Sequence, residues 1–232
     1  MGRWLLIALL LLAPVGLTAC AADSASRVQG CDASASPCLQ GEALVTLQTA
    51  KGEVQIQLDG AAAPLTAGNF VDLVNRGVYN DTVFHRVVRE PVPFVVQGGD
   101  PQSANPKVSA AQYGTGSFLD PNTGEARLIP LEIKLQRETQ PRYGEVLTAP
   151  GVTRDLSLAH QRGAVAMARS ADPNSASAQF YIALQALPEL DGRYAVFGRV
   201  VKGMDVVDRI QQGDKLIKAQ LSSGGTLVKA KP

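Results

Sequence analysis

Histidine is nearly missing from this chain. Of 232 residues only His85 and His160 are histidines, and the two lie far apart in sequence, so a histidine-rich metal centre is excluded. Charge of one sign is missing as well. The 22 Lys and Arg offset the 21 Asp and Glu to leave a net charge of +1, and the pI of about 7.7 excludes the basic stripe on which nucleic-acid binding depends. No Gly-x-Ser-x-Gly elbow occurs, and Gln97-Gly98-Gly99-Asp100 lacks the lysine and the spacing of a phosphate loop. Hydrolysis, phosphoryl transfer and redox chemistry are therefore disfavoured, and no cofactor is expected.

A membrane span is missing too. The one apolar run, Trp4 to about Val15, is shorter than the roughly 20 residues that cross a bilayer. With Arg3 ahead of it and small residues before Cys20, "MGRWLLIALLLLAPVGLTAC" has the layout of an export signal. Its ending "LTAC" resembles the lipobox of bacterial lipoproteins, in which the cysteine is lipidated and begins the mature chain; a secreted protein with a chance cysteine is the alternative. The expected division is a 1–19 signal peptide, a 20–41 tether rich in Ala, Ser, Asp and Gly, and a 42–232 domain. Lipidation at Cys20 would hold the exported domain at a membrane surface, because several acyl chains anchor where one is marginal. Cys31 and Cys38 remain as an even pair in an exported chain, which favours a disulfide across a short loop over a metal site.

From Ala43 the chain alternates with period two. "ALVTLQT", a Lys-Gly turn and "EVQIQLD" read as a β-hairpin with Leu44, Leu47, Val54, Ile56 and Leu58 among its apolar positions. "APLTAGNFVDLVNRGVY" reads as a helix with Pro64 in its first turn and Gly77 as its stop. Short strands follow in "TVFHRVV", "PFVVQGG", "GAVAMAR", "QFYIAL" and "AVFGRVV". A second helix is expected in "GMDVVDRIQQG", with Met204, Val207 and Ile210 on one face and a stop at Gly213, before a closing strand "KLIKAQL". Short strands, two helices and no βαβ rhythm or internal repeat indicate an antiparallel barrel or sandwich. Residues 101–157 read as a large surface insertion, since loops beyond about 15 residues are unusual in a compact domain.

Four blocks in order, "FHRVV" with "FVVQGGDP", then "GAVAMARSADPNSASAQFYI" and "LDGRYAVFGRVVKGMDVVDRI", resemble the cyclophilin family of peptidyl-prolyl isomerases over roughly residues 43–221. "RLIPLEIK" and "GAVAMARS" resemble the branch found in cyanobacteria and chloroplast lumens, which implies a protein facing the periplasm or a thylakoid lumen. The resemblance implies an eight-stranded antiparallel barrel capped by two α-helices, working as a monomer on proline-containing clients. It also implies a reaction that needs no nucleophile, only preferential binding of a twisted amide.

By the same resemblance Arg86 is the catalytic arginine and Gln97 the glutamine that binds the substrate backbone. Phe94, Val95, Tyr181 and Leu190 would line the proline slot, with Tyr194 as a polar edge. Ala168 and Arg169 stand at an Ala-Asn pair whose backbone reaches the substrate. Glu189 replaces a tryptophan associated with cyclosporin binding, so weak binding of that drug is expected. "RVVREPVPF" is three residues longer than the family's usual spacing, which would make Arg89, Glu90, Pro91 and Val92 bulge beside the pocket. His85 and His160 read as structural. The alternative function is a peptide-binding chaperone or assembly factor of low activity that uses the same groove.

Overall fold

The alternating segment after the tether folds as two long paired strands. The computed structural model describes Met1, residues 30–33 and residues 36–229. The segment expected to be a signal peptide, Cys20 and the first part of the expected tether lie outside the described residues. Helix α1 (Gly30–Ala33) is followed by β1 (Cys38–Thr49) and β2 (Gly52–Asp59), which pair antiparallel from Glu42 with Asp59 to Thr49 with Gly52. Ala43, Val45, Leu47, Val54, Ile56 and Leu58 are buried on one face, because successive side chains of a strand point to opposite sides. Leu44 is out of phase with that set and is only half-buried.

The folded part begins earlier than the expected boundary at residue 42. Cys38 opens β1, Leu39 is 1% exposed, and a disulfide joins Cys31 to Cys38. Gly68 of helix α2 (Pro64–Asn75) lies against the backbone of Pro37 and Cys38, where a side chain would collide. Leu65 through Val74 of α2 are all buried. Phe70 sits with its ring centroid 4.9 Å from Tyr79, 5.3 Å from Phe180 and 5.0 Å from Phe197.

The remaining strands are β3 (Thr82–Val83), β4 (Arg86–Val87), β5 (Val95–Gly98), β6 (Glu132–Ile133), β7 (Arg142–Tyr143), β8 (Ala164–Met167), β9 (Phe180–Ala183), β10 (Val196–Lys202) and β11 (Lys215–Val228). Helix α3 (Pro150–Thr153) precedes β8, and α4 (Met204–Arg209) precedes β11. The main sheet runs β3-β11-β1-β2-β10-β8-β9-β5-β4, and every pairing in it is antiparallel. Its two end strands are separated only by Phe84 and His85. They are two halves of one broken strand, so the sheet returns upon itself and its nine segments count as the eight expected strands. The second helix is shorter than its sequence pattern suggests, since Ile210 already has extended backbone (φ −61°, ψ 132°).

The 101–157 segment is not a surface excursion throughout. Arg127, Ile129, Leu131, Glu132, Ile133, Leu147 and Leu156 are buried, and β6 pairs with β7 in a small separate sheet. Glu132 accepts hydrogen bonds from the backbone N–H groups of Leu65 (3.1 Å) and Thr66 (2.7 Å). These are orphan donors of the first turn of α2, whose own N-cap residue, Ala63, offers no side-chain acceptor. Arg127 Nη1 donates to Asp72 Oδ2 at 2.6 Å, and Arg76 Nε donates to the same oxygen at 2.7 Å. The segment is thus clamped to both the start and the far turn of α2.

Candidate active site

Strands β5, β8 and β9 are buried on both faces. Their inner side chains, such as Val96, Val165, Phe180 and Ile182, belong to the main core. The outer ones, Val95, Ala164, Ala166, Tyr181 and Ala183, form a second apolar cluster with Leu187 and Val196, against which Phe94, Ala168, Leu190 and Tyr194 pack. This explains why the strands read as near-continuous apolar runs. One face fills the core and the other walls a cavity.

Pairing register places the polar groups on that wall. Arg86 lies opposite Gln97, Gln97 opposite Tyr181, and Tyr181 opposite Ala166. Residues opposite one another share a face, as do residues two apart along a strand, so Val95 and Ala168 fall on the same side. The result is a cavity of about 300 Å³ lined by Arg86, Phe94, Val95, Gln97, Ala168, Arg169, Tyr181, Leu190 and Tyr194. Every substrate-contacting residue expected from the sequence lines this one space.

Within it Arg86 Nη1 donates to Gln97 Oε1 at 3.3 Å, and the guanidinium stands 5.7 Å from the centroid of the Phe94 ring. Gln97 Nε2 donates to Gln179 Oε1 at 3.3 Å, and Gln179 Nε2 donates to Gly116 O at 2.9 Å. Sequence reasoning missed Gln179. The available signal was its position two residues before Tyr181, which puts it on the same strand face. Asp100, fully buried, accepts from the N–H groups of Gln102 (2.9 Å), Gly114 (2.6 Å) and Gly116 (3.2 Å), and so fixes the loop that receives Gln179.

His160 stands behind the apolar wall, 1% exposed. Its Nδ1 is 2.8 Å from Asp191 Oδ1 and its Nε2 is 2.9 Å from the Tyr181 hydroxyl. A carboxylate accepts, so Nδ1 carries the proton and Nε2 receives the hydroxyl hydrogen of Tyr181. Burial lowers the His160 pKa against the opposing pull of Asp191 and Glu189, and burial also raises that of the Tyr181 phenol. The Tyr181 ring is thereby tied from the rear. The Tyr194 ring meets it edge-on at 5.9 Å.

Arg169 bridges two rim segments. Its Nε and Nη2 donate to Arg193 O at 2.9 and 2.7 Å, its Nη1 donates to Ser170 O and Ala171 O at 2.8 and 3.2 Å, and it stacks 4.8 Å over the Tyr194 ring.

The lengthened 89–93 loop does not border the cavity, contrary to expectation. Val88 and Phe94 close it as a hairpin, Val88 N donating to Val95 O and Phe94 N to Val88 O. Arg89 Nη2 then reaches Val207 O (3.1 Å) and Ile210 O (2.8 Å) at the C-terminal end of α4. Carbonyls left open at a helix end draw the guanidinium there. Arg89 and Glu90 border a separate groove of about 840 Å³ with Lys51, Asp208 and Arg209. Exposed Glu189, on the turn Pro188–Leu190, does not line the 300 Å³ cavity either.

The antiparallel sheet curled upon itself is a fold that solved structures share. A Cryptosporidium parvum cyclophilin type peptidyl-prolyl cis-trans isomerase superposes with a TM-score of 0.58 at 22% identity, covering 79% of this chain and 99% of that one. The family model described as cyclophilin type peptidyl-prolyl cis-trans isomerase/CLD matches residues 44–230, and the chain belongs to that family. It is 38% identical over 198 residues to a Synechocystis protein named as a thylakoid lumen peptidyl-prolyl cis-trans isomerase, covering 81% of this chain and 49% of that protein. It is 34% identical over 173 residues to peptidyl-prolyl cis-trans isomerase A of Dickeya dadantii, covering 72% and 70% respectively. The chain therefore spans about half the length of its Synechocystis relative.

Proposed function

We propose that this protein accelerates cis-trans isomerisation of X-Pro bonds in exported protein clients, acting at the cavity between Arg86 and Leu190. The observation that carries the reading is the convergence of Arg86, Gln97 and the apolar lining on one space of about 300 Å³. Amide resonance opposes rotation by about 18–20 kcal/mol, so an X-Pro bond turns over in tens to hundreds of seconds unaided. No bond must break. The proline ring enters the slot walled by Phe94, Val95, Tyr181 and Leu190. Arg86 donates to the prolyl nitrogen, whose lone pair is available only while the amide is twisted, and the guanidinium charge favours that state over either planar isomer. Gln97, oriented by Gln179, binds the substrate backbone. Each tenfold gain in rate requires about 1.4 kcal/mol of such preference, which a few fixed donors supply.

The lumenal name of the Synechocystis relative and the lipobox-like "LTAC" support an exported protein anchored through Cys20. The reading is tested by following cis-to-trans relaxation of a proline peptide with the purified full-length chain. Acceleration is expected, with KM raised several-fold in Phe94→Ala as an apolar wall is lost. No acceleration by the wild-type chain overturns it.

A further inference from the structure

A buried titratable side chain is joined directly to one wall of the slot. Asp191 Oδ1 accepts from both the backbone N–H and Nδ1 of His160, each at 2.8 Å, and His160 Nε2 takes the Tyr181 hydroxyl hydrogen at 2.9 Å. The Tyr181 ring lines the cavity of about 300 Å³, while its hydroxyl meets His160 in the interior, where His160 is 1% exposed. Among the described residues no other hydrogen bond holds that hydroxyl. The charged groups facing His160 are Asp191 and Glu189, from the turn ahead of β10. Leu187, whose N–H donates to His160 O, belongs to the uncharged stretch 184–187. Arg162 directs its guanidinium elsewhere, to Leu184 O and Asp208. Arg169 and Tyr194 act on the other side of Tyr181.

Neutral imidazole has one nitrogen that donates and one that accepts. A second proton would occupy Nε2, where the Tyr181 hydrogen now lies, and both nitrogens would donate. Asp191 satisfies one of them, but the hydroxyl is left with its own hydrogen unaccepted beside an apolar cluster. We propose that the Asp191–His160–Tyr181 chain is a proton-operated latch on the proline slot: with His160 neutral the Tyr181 wall is fixed and clients bind, and with His160 protonated the wall is released and clients bind weakly. This rests on the isomerase reading and adds a regulation to it. Burial makes the latch respond on the acidic side, because it holds the His160 pKa below the ordinary 6.5. Client affinity is therefore complete above pH 6.5 and falls as the pH drops through the lowered value. A histidine that only stabilised the fold would shift the unfolding midpoint and leave KM of the folded protein alone.

The test follows isomerisation of a capped proline peptide without ionisable side chains from about pH 7.5 to 5, over the range in which near-UV circular dichroism shows the full-length protein folded. KM is expected to rise about three- to tenfold toward acid while kcat stays nearly constant. The KM profile should be flat in His160→Gln, whose amide does not titrate, and in Tyr181→Phe, which keeps the ring without the hydroxyl, whatever the absolute KM of either. His85, whose pKa burial also lowers, is present in both variants, so a dependence that it causes survives in them. The proposal is overturned by a constant KM in the wild type, by a change confined to kcat, or by a dependence that survives in either variant. If the peptide is accelerated at no pH the isomerase reading fails by itself, and the dissociation constant of the same peptide over the same range decides the latch by the same criteria.

Discussion

His160 titrates in a place where it cannot easily accept a second proton. Burial depresses its pKa below the ordinary 6.5, against the attraction of Asp191. The unfolded chain therefore binds more protons than the folded one between that depressed value and 6.5. Stability conferred by neutral His160 is complete above pH 6.5 and declines as the pH falls through the window below it. His85 is shifted in the same direction, also chiefly by burial, and contributes to the same window. Thermal unfolding midpoints measured from pH 7.5 to 5 should fall in the wild type and fall less in His160→Asn. Identical slopes would contradict the assignment. At this scale the sequence was partly legible: His160 read as structural, but its link to the Tyr181 wall was hidden because its partners lie 21 and 31 residues away.

Elements here are held together by contacts between distant parts of the chain, and that is where reading from sequence stops. The period-two strands and α2 followed from local pattern, whereas α2 takes its N-terminal cap from Glu132, 66 and 67 residues beyond the donors. A cap from inside a supposed surface loop leaves no local signature, since the usual cue is Ser, Thr, Asp or Asn just before the helix. Glu132→Ala should strand two buried N–H groups and cost about 2–4 kcal/mol of unfolding free energy in denaturant titration; a loss below about 0.5 kcal/mol would mean that the segment is not what fixes the helix start. Arg127 clamps the other end. Burial opposes ionisation of Asp72, but the hydrogen bonds and charges of Arg127 and Arg76 outweigh it and hold that carboxyl below its ordinary value of 3.8. This contribution is present above pH 3.8 and is lost as the pH falls through the depressed value, apart from the histidine window. The 89–93 loop was misjudged for a related reason, as length alone does not say which helix end will draw Arg89.

At the scale of the whole molecule, a single curled sheet serves two apolar layers, one filling the core around Phe70 and one walling the cavity. Composition and periodicity indicated an antiparallel barrel or sandwich without choosing between them, and not which of the apolar side chains on β5, β8 and β9 face outward; only the order of the four motif blocks picked out the barrel and the cavity residues. The export reading belongs to this scale as well. Expressed in a bacterium that processes lipoproteins, the chain should fractionate with membranes, and Cys20→Ala should appear in the soluble exported fraction; equal partitioning of both would contradict lipidation. The central claim is that Arg86 stabilises a twisted prolyl amide. Its most direct measurement is kcat/KM for X-Pro isomerisation by full-length wild-type and Arg86→Ala proteins: a loss of about a hundredfold, carried mainly by kcat, is predicted, and equal rates in the two proteins would contradict it.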